Sequence, residues 1–322
     1  MTLVLDVECG KVKCDNMKEV ARHTIGEQQI AQALDGIEKR AFSRWESLRY
    51  DRLSLESLEE MCDELLDHVA AGMLEDPALS AAHSRVVLRT AAECALGVLD
   101  LGVFPNGDFE VPFPLLGTTL SSEEVGLGDA VDRAPTARTW LDAFALCLVS
   151  GVLWERNRVI GLLLRQDFAP QIHDGVPYSP PESRSDQADL AEMDALCGYL
   201  TVSPGHLPSD WPAVVLCKPD FEERAEAARR LDALGVLTPD QRLLRVLLDD
   251  DQPAFETALA DRLVQHRDVM TTDAPPRSLL PINAIALASL AVQVHGWELS
   301  IRSGYLPDTL LRAPKGTPKV GI

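Results

Sequence analysis

The sequence predicts an all-α protein, an irregular helical bundle or an α-solenoid of antiparallel helix pairs, with at most one small β-hairpin. Three observations carry this. Apolar residues recur at helical spacing through most of the segments that lie between breaks. The breaks are short and rich in Gly, Pro, Asp and Ser. Strand-like alternation is confined to two short stretches, and the segment lengths vary too much for a strict repeat period. The expected organisation is an N-terminal arm over 1–16, one helical domain over 17–312 that can subdivide at the 166–186 loop, and a flexible tail over 313–322.

From Met17 the pattern turns helical, with Ile25, Ile30, Leu34 and Ile37 mostly on one side. A second helix is expected over 54–72, where Leu55, Leu58, Cys62, Leu65, Leu66 and Val69 share a face, Ser54 is a cap and Gly72 a stop. A third follows Pro77, over 81–102. Residues 103–135 break the rhythm with Pro105, Gly107, Pro112, Pro114, Gly117, Gly126 and Gly128, so the alternating Phe109, Val111 and Phe113 can form only an edge hairpin. Helix resumes near Pro135, placing Trp140, Phe144, Leu148, Leu153 and Trp154 toward a core.

Loop is expected over 166–186, helix over 186–200, and loop again over 203–219. A helix over 221–234 has an acidic start and a basic finish, as the helix dipole favours. Thr238-Pro239 reads as a cap followed by a first-turn proline. The next helix ends at Asp249-Asp250-Asp251, and Asp251 stands in capping position for a helix that restarts at Gln252-Pro253. The most apolar helix runs over 279–294 and stops at Gly296, and Trp297 to Ile301 alternates as a short extended piece.

The chain has 322 residues, 50 acids and 30 bases, a net charge of −20. Such a field repels phosphate backbones and speeds encounter with basic partners, which argues against nucleic acid as the ligand. The longest apolar run is interrupted by Pro281, Asn283, Ser289 and Gln293, so no membrane span is expected. The N-terminus has neither a basic n-region nor a long apolar stretch, and seven cysteines with no Cys-x-x-Cys pair fit a reducing cytoplasm. Cys62, Cys94 and Cys147 fall within helical apolar patterns, where free cysteine acts as a small hydrophobe. Cys9 and Cys14 supply half a metal site at most, with no second pair to complete it.

Chemistry-bearing constellations are sparse. Phosphate-loop, dinucleotide, nucleophile-elbow and zinc-protease motifs are all missing from the sequence. No catalytic residue, metal ligand or cofactor is therefore assigned. Glu60, Asp63, Glu64, Asp67 and His68 crowd one helical stretch, and Glu64 and His68, one turn apart, could present a carboxylate and an imidazole to one metal. Di-metal bundles need Glu-x-x-His on two helices, and that spacing does not occur here. A solvated acidic face is the favoured reading. Were the protein an enzyme, Glu64, His68 and His266 would be its polar-site candidates. Arg22-His23 could hold an anion near a helix start, although packing or capping is the commoner role. His295 beside Gly296 needs no function beyond dipole pairing. Asp249 and Asp250 are candidates to face a partner.

Several blocks recur in order: Arg22-His23-Thr24-Ile25-Gly26, Leu65-Leu66-Asp67-His68-Val69-Ala70, Asp76-Pro77, Trp140-Leu141-Asp142-Ala143-Phe144, then Asp250, Phe255, His266, the helix 284–294 and Tyr305-Leu306-Pro307. In these the sequence resembles the immunity protein 49 family of bacterial polymorphic toxin systems, over most of 20–312. The resemblance implies an all-helical cytoplasmic protein that binds and neutralises a cognate toxin, and it carries over no catalytic residue. A basic toxin would suit the acidic chain. Two other classes fit the same scaffold: an enzyme or biosynthetic accessory protein with a buried polar or metal site, and a helical-repeat regulatory protein.

Overall fold

The computed structural model describes residues 18–50, 54–123, 133–176, 184–203 and 213–314. Helices dominate it, as the periodicity predicts. The arm 1–16, Cys9, Cys14 and all of the tail beyond Pro314 lie outside the described residues.

Helix α4 (Ala82–Val103) is the central element. Val87, Leu88, Ala91, Ala92, Cys94, Val98, Leu99 and Leu101 are all buried, so it is covered nearly all round. Helix α3 (Leu55–Gly72) packs on one side of it with a regular apolar face. The Ser54 hydroxyl accepts from the Ser57 amide at 3.1 Å and caps that helix. Helix α5 (Ala137–Ser150) packs on another side of α4. Its Trp140 is fully buried and stacked on Phe144 with ring centroids 5.2 Å apart.

Two glycines let neighbours approach α4. A Cβ at Gly97 would meet Val111 Cγ2 at 2.8 Å, and one at Gly102 would meet Pro135 Cγ at 2.3 Å. The hairpin β2 (Glu110–Phe113) and β3 (Thr118–Ser121) sits against α4 through Val111 and through a bond from the Leu115 amide to the Thr90 hydroxyl, 3.0 Å. The expected edge hairpin is therefore present, and it is one of three two-stranded sheets.

The second sheet corrects the expected loop over 203–219. β4 (Leu200–Ser203) pairs antiparallel with β5 (Ala213–Leu216). The third lies near the two ends of the described chain, where β1 (Lys18–Val20) runs parallel to β6 (Ile301–Ser303), with Lys18 opposite Ile301. The expected helix from Met17 thus begins later. The chain is extended through β1, and α1 (Glu27–Leu34) and α2 (Ile37–Tyr50) follow, separated by a left-handed Gly36 with φ +52°. Pairing across some 280 residues leaves no trace in local periodicity.

Helix also runs further than expected after α5. Short helices α6 (Val152–Glu155) and α7 (Asn157–Leu162) lead into a π-helical segment, Leu163–Phe168, and α8 (Ala169–Asp174). The expected loop at 166 therefore starts after Asp174. The π geometry has a use. The Leu164 carbonyl accepts both the Ala169 amide and the Trp140 indole N–H, the latter at 2.8 Å.

The C-terminal half follows its capping signals. α9 (Gln187–Tyr199) starts at the Asp186 cap. α10 (Phe221–Ala233) has an Asp220/Glu223 capping box and α11 (Pro239–Leu248) a Thr238/Gln241 box. α12 (Gln252–Val269) is capped by Asp251, whose carboxylate accepts from the Ala254 amide at 3.0 Å. Pro275-Pro276 forces a 3-10 turn, Pro276–Leu279, so the apolar helix α13 (Ile282–Gln293) starts three residues later than expected. α14 (Asp308–Leu311) closes the chain against α13 and α5. One contiguous cluster of buried apolar residues runs from Val20 to Leu311.

Candidate functional site

The acidic face of α3 is divided among three neighbours. Glu60 and Glu64 turn to α2, where Arg44 Nη1 lies 2.6 Å from Glu60 and Arg44 Nε donates to Glu64 at 2.9 Å. Asp67 accepts from both the backbone amide and the guanidinium of Arg277, each at 2.8 Å, and Asp63 lies 3.1 Å from the same guanidinium. His68 places Nδ1 3.1 Å from the Ala33 carbonyl of α1, with its ring edge-on to His83. Glu64 and His68 thus serve different contacts.

His266 belongs to a separate cluster that ties the N-terminal segment down. Its Nε2 lies 2.7 Å from the Ser278 carbonyl, and its ring packs on His23 and Tyr305, with centroids at 5.9 and 5.4 Å. The Tyr305 hydroxyl accepts the His23 backbone amide at 2.9 Å and sits 2.6 Å from His23 Nδ1. The Ser278 hydroxyl donates to the Pro275 carbonyl at 2.7 Å and lies 2.9 Å from His23 Nε2. These partners fix the tautomer: Nε2–H donates to Ser278, and Nδ1 accepts from Tyr305. Burial, then the proximity of His266 and Arg22, holds His23 below its ordinary value, consistent with a neutral ring.

Asp250 organises a third network. It takes a left-handed backbone conformation, φ +60°. One carboxylate oxygen meets His295 Nδ1 at 2.7 Å; the other meets Lys218 Nζ at 2.7 Å and Arg224 Nη2 at 3.3 Å. His295 Nε2 in turn lies 2.9 Å from the Tyr199 hydroxyl. A carboxylate only accepts, so a neutral His295 carries its hydrogen on Nδ1 and accepts from Tyr199. Burial works to raise the Asp250 carboxyl, but the bonds from Lys218 and His295 outweigh it and hold the group below its ordinary value. The Tyr–His–Asp order resembles a proton relay, yet Tyr199 and the His295 side chain are 0% exposed. Its geometry joins the end of α9, the α11–α12 junction and the end of α13. Asp249 is different: its side chain is half exposed and pairs with Arg245 one turn back on α11. Asp251 caps, as the sequence suggests.

A further concave feature is a cleft of about 470 Å³. Helices α3 and α5 both pack on α4, and residues of all three line the groove. Ala95 and Val98 of α4 form the floor together with Cys62, Leu66 and Leu146. Glu59 and Asp63 line the α3 wall; Arg138 and Asp142 line the α5 wall; Arg277 and Asn283 close one end. Asp142 is exposed to water yet its carboxyl is pushed up by desolvation, as expected of a group in a concave wall. Its bond is with the Asn283 amide, 3.1 Å away. Glu59 and Asp63 are raised too, burial first, with neighbouring carboxylates adding to it.

Sequence reasoning missed this groove. One signal was present: Glu59, Cys62, Asp63 and Leu66 recur at i, i+3, i+4 and i+7, a mixed face rather than a purely solvated one. Arg138 and Asp142, Arg277 and Asn283 come from distant segments. Among the described residues no three His, Cys, Asp or Glu side chains form a metal-binding group. Cys62, Cys94 and Cys147 are buried with thiols pushed up by desolvation, and so behave as small hydrophobes.

A family model described as immunity protein 49 matches residues 76–310. Comparison with curated proteins and with solved structures gives no match. The matched stretch contributes α4, α5 and α13 of the groove, together with His266, Asp250, His295 and Tyr305; α3 and His23 precede it.

Proposed function

The chain belongs to the immunity protein 49 family, and on that premise we propose that it binds a cognate protein toxin and neutralises it by occlusion, without catalysis of its own. The observation that carries this reading is the family match over residues 76–310. The net charge of −20 supports a basic toxin as the partner, because a field of that sign raises the encounter rate with cations and repels nucleic acid. A cytoplasmic site of action and a single helical domain over 17–312 belong to the same proposal. Among the described residues no helix is long and apolar enough to cross a membrane.

The polar networks support binding over chemistry. The relay-like Tyr199–His295–Asp250 chain is buried at its first two members, and the His23–Tyr305–Ser278 cluster is internally satisfied. The side chain of Asp249 is half exposed while paired to Arg245, and so remains a candidate partner contact.

The test is co-expression with a candidate toxin drawn from the neighbouring genes. Protected growth and a one-to-one complex on size-exclusion chromatography are expected. A toxin that kills equally with and without this protein, and elutes apart from it, would overturn the reading.

A further inference from the structure

We propose that the groove between α3 and α5, above α4, is a binding site for a basic side chain of a partner protein, with Asp142 as the principal contact. That the cation belongs to a toxin rests on the immunity reading; the cation site itself does not.

The groove has two chemical surfaces. Its floor is apolar, made of Ala95, Val98, Leu66 and Leu146, and suits the methylene stem of an arginine or lysine. Its walls carry the carboxylates of Glu59, Asp63 and Asp142. The cations already present have carboxylate partners other than Asp142. Arg277 is held by Asp63 and Asp67, and Arg138 reaches Glu192 at 3.0 Å and Asp189 at 3.3 Å. Arg133 is paired with Glu59. Asp142 therefore has no ion pair among the described residues, and Asn283 is its one hydrogen-bond donor there. Arg138, one turn back on α5, offsets its desolvation only in part, so a directly bonded cation would stabilise its charged form. Burial raises the carboxyls of Glu59, Asp63 and Asp142 by penalising their charged forms, a penalty that an incoming cation would offset. The groove is also rigidly framed. Its floor helix α4 is buried over most of its length, the 3-10 turn packs on α3, and α13 packs on α5.

The experiment titrates the intact protein with Nα-acetyl-L-argininamide, with Nα-acetyl-L-norleucinamide as the uncharged control, and follows binding by NMR chemical shifts. Saturable millimolar binding of the arginine probe is expected, weakened at least fivefold by Asp142→Asn and less by Glu59→Gln. Thermal melting of both variants checks that they fold, and Glu59→Gln tests the wall independently if Asp142→Asn does not. Equal binding of both probes, no saturable binding, or affinities unchanged in a folded variant would overturn the site. If the probe binds as expected but the toxin complex is indifferent to both variants, the groove is a cation site that the toxin does not use, and its assignment to the toxin falls while the immunity reading stands.

Discussion

Glu192 shows at the residue scale how position overrides intrinsic chemistry. It is 4% exposed on α9, and burial pushes its carboxyl up to about 7; the Arg138 guanidinium only partly offsets this. A carboxyl raised in the fold contributes stability that is fully present below its unfolded value, about 4.5, and is lost as pH rises through 7. Replacing it with the neutral isostere removes that dependence. Glu192→Gln should therefore gain stability relative to the wild type between pH 5 and 8, by on the order of 2–3 kcal/mol at the upper end, read from urea midpoints at the two pH values. His23, His68, His266 and His295 have the opposite sign. Burial holds each below its ordinary value, so each contributes stability above pH about 6.5 that is lost on acidification. The two groups oppose one another in the same window, which is why the difference between variant and wild type is the informative quantity. None of these residues announces its burial in the sequence. Glu192 is one of several acids on α9, and Asp250 reads as one of two aspartates that could face a partner, until His295, Lys218 and Arg224 are seen to converge on it.

At the scale of elements, the helices whose ends carry chemical signals were legible. Ser54 starts α3, Thr238-Pro239 starts α11, and Asp251 starts α12, because each cap satisfies amides that the helix leaves unbonded. Some elements without such a signal were missed, although α4, which has no side-chain cap, and the β2–β3 hairpin lie where expected. β1 and β6 pair from opposite ends of the described chain, and β4 and β5 bracket a segment whose loop-like composition hides their pairing. The π segment continues a helix where the sequence suggested a loop, and its widened turn is justified only by the Trp140 indole it receives. Close contact between elements is equally silent. Gly102 looks like a weak point in α4, yet its missing Cβ is what admits Pro135. Gly102→Ala should destabilise the protein by about 1–3 kcal/mol through overpacking, despite alanine's better helix propensity of about 1 kcal/mol. A rise in melting temperature would show instead that the 133–136 segment can move aside at little cost.

For the whole molecule, charge is the property that composition alone supplies. With 50 acids and 30 bases, association with a basic toxin should be electrostatically steered. Raising salt from about 0.05 to 0.5 M should slow association by tenfold or more while changing dissociation far less, as read by stopped-flow fluorescence. A salt-independent association rate would place the recognition on uncharged surface and count against the groove as the first contact.

The sequence by itself determined the helical class, the faces that form the core, the capped helix starts and the sign of the surface field. Each depends on local periodicity, local hydrogen bonding or a sum over residues, none of which needs the fold to be known. Only the tertiary structure decided which polar residues are spent on holding the chain together and which remain at a surface. His23 and Tyr305 are 282 residues apart and bonded; Asp250 and His295 are 45 apart and bonded. Asp142, on a largely apolar helix, lines a groove. Burial and partnership are properties of distance in space, and the order of residues along the chain does not encode that distance directly.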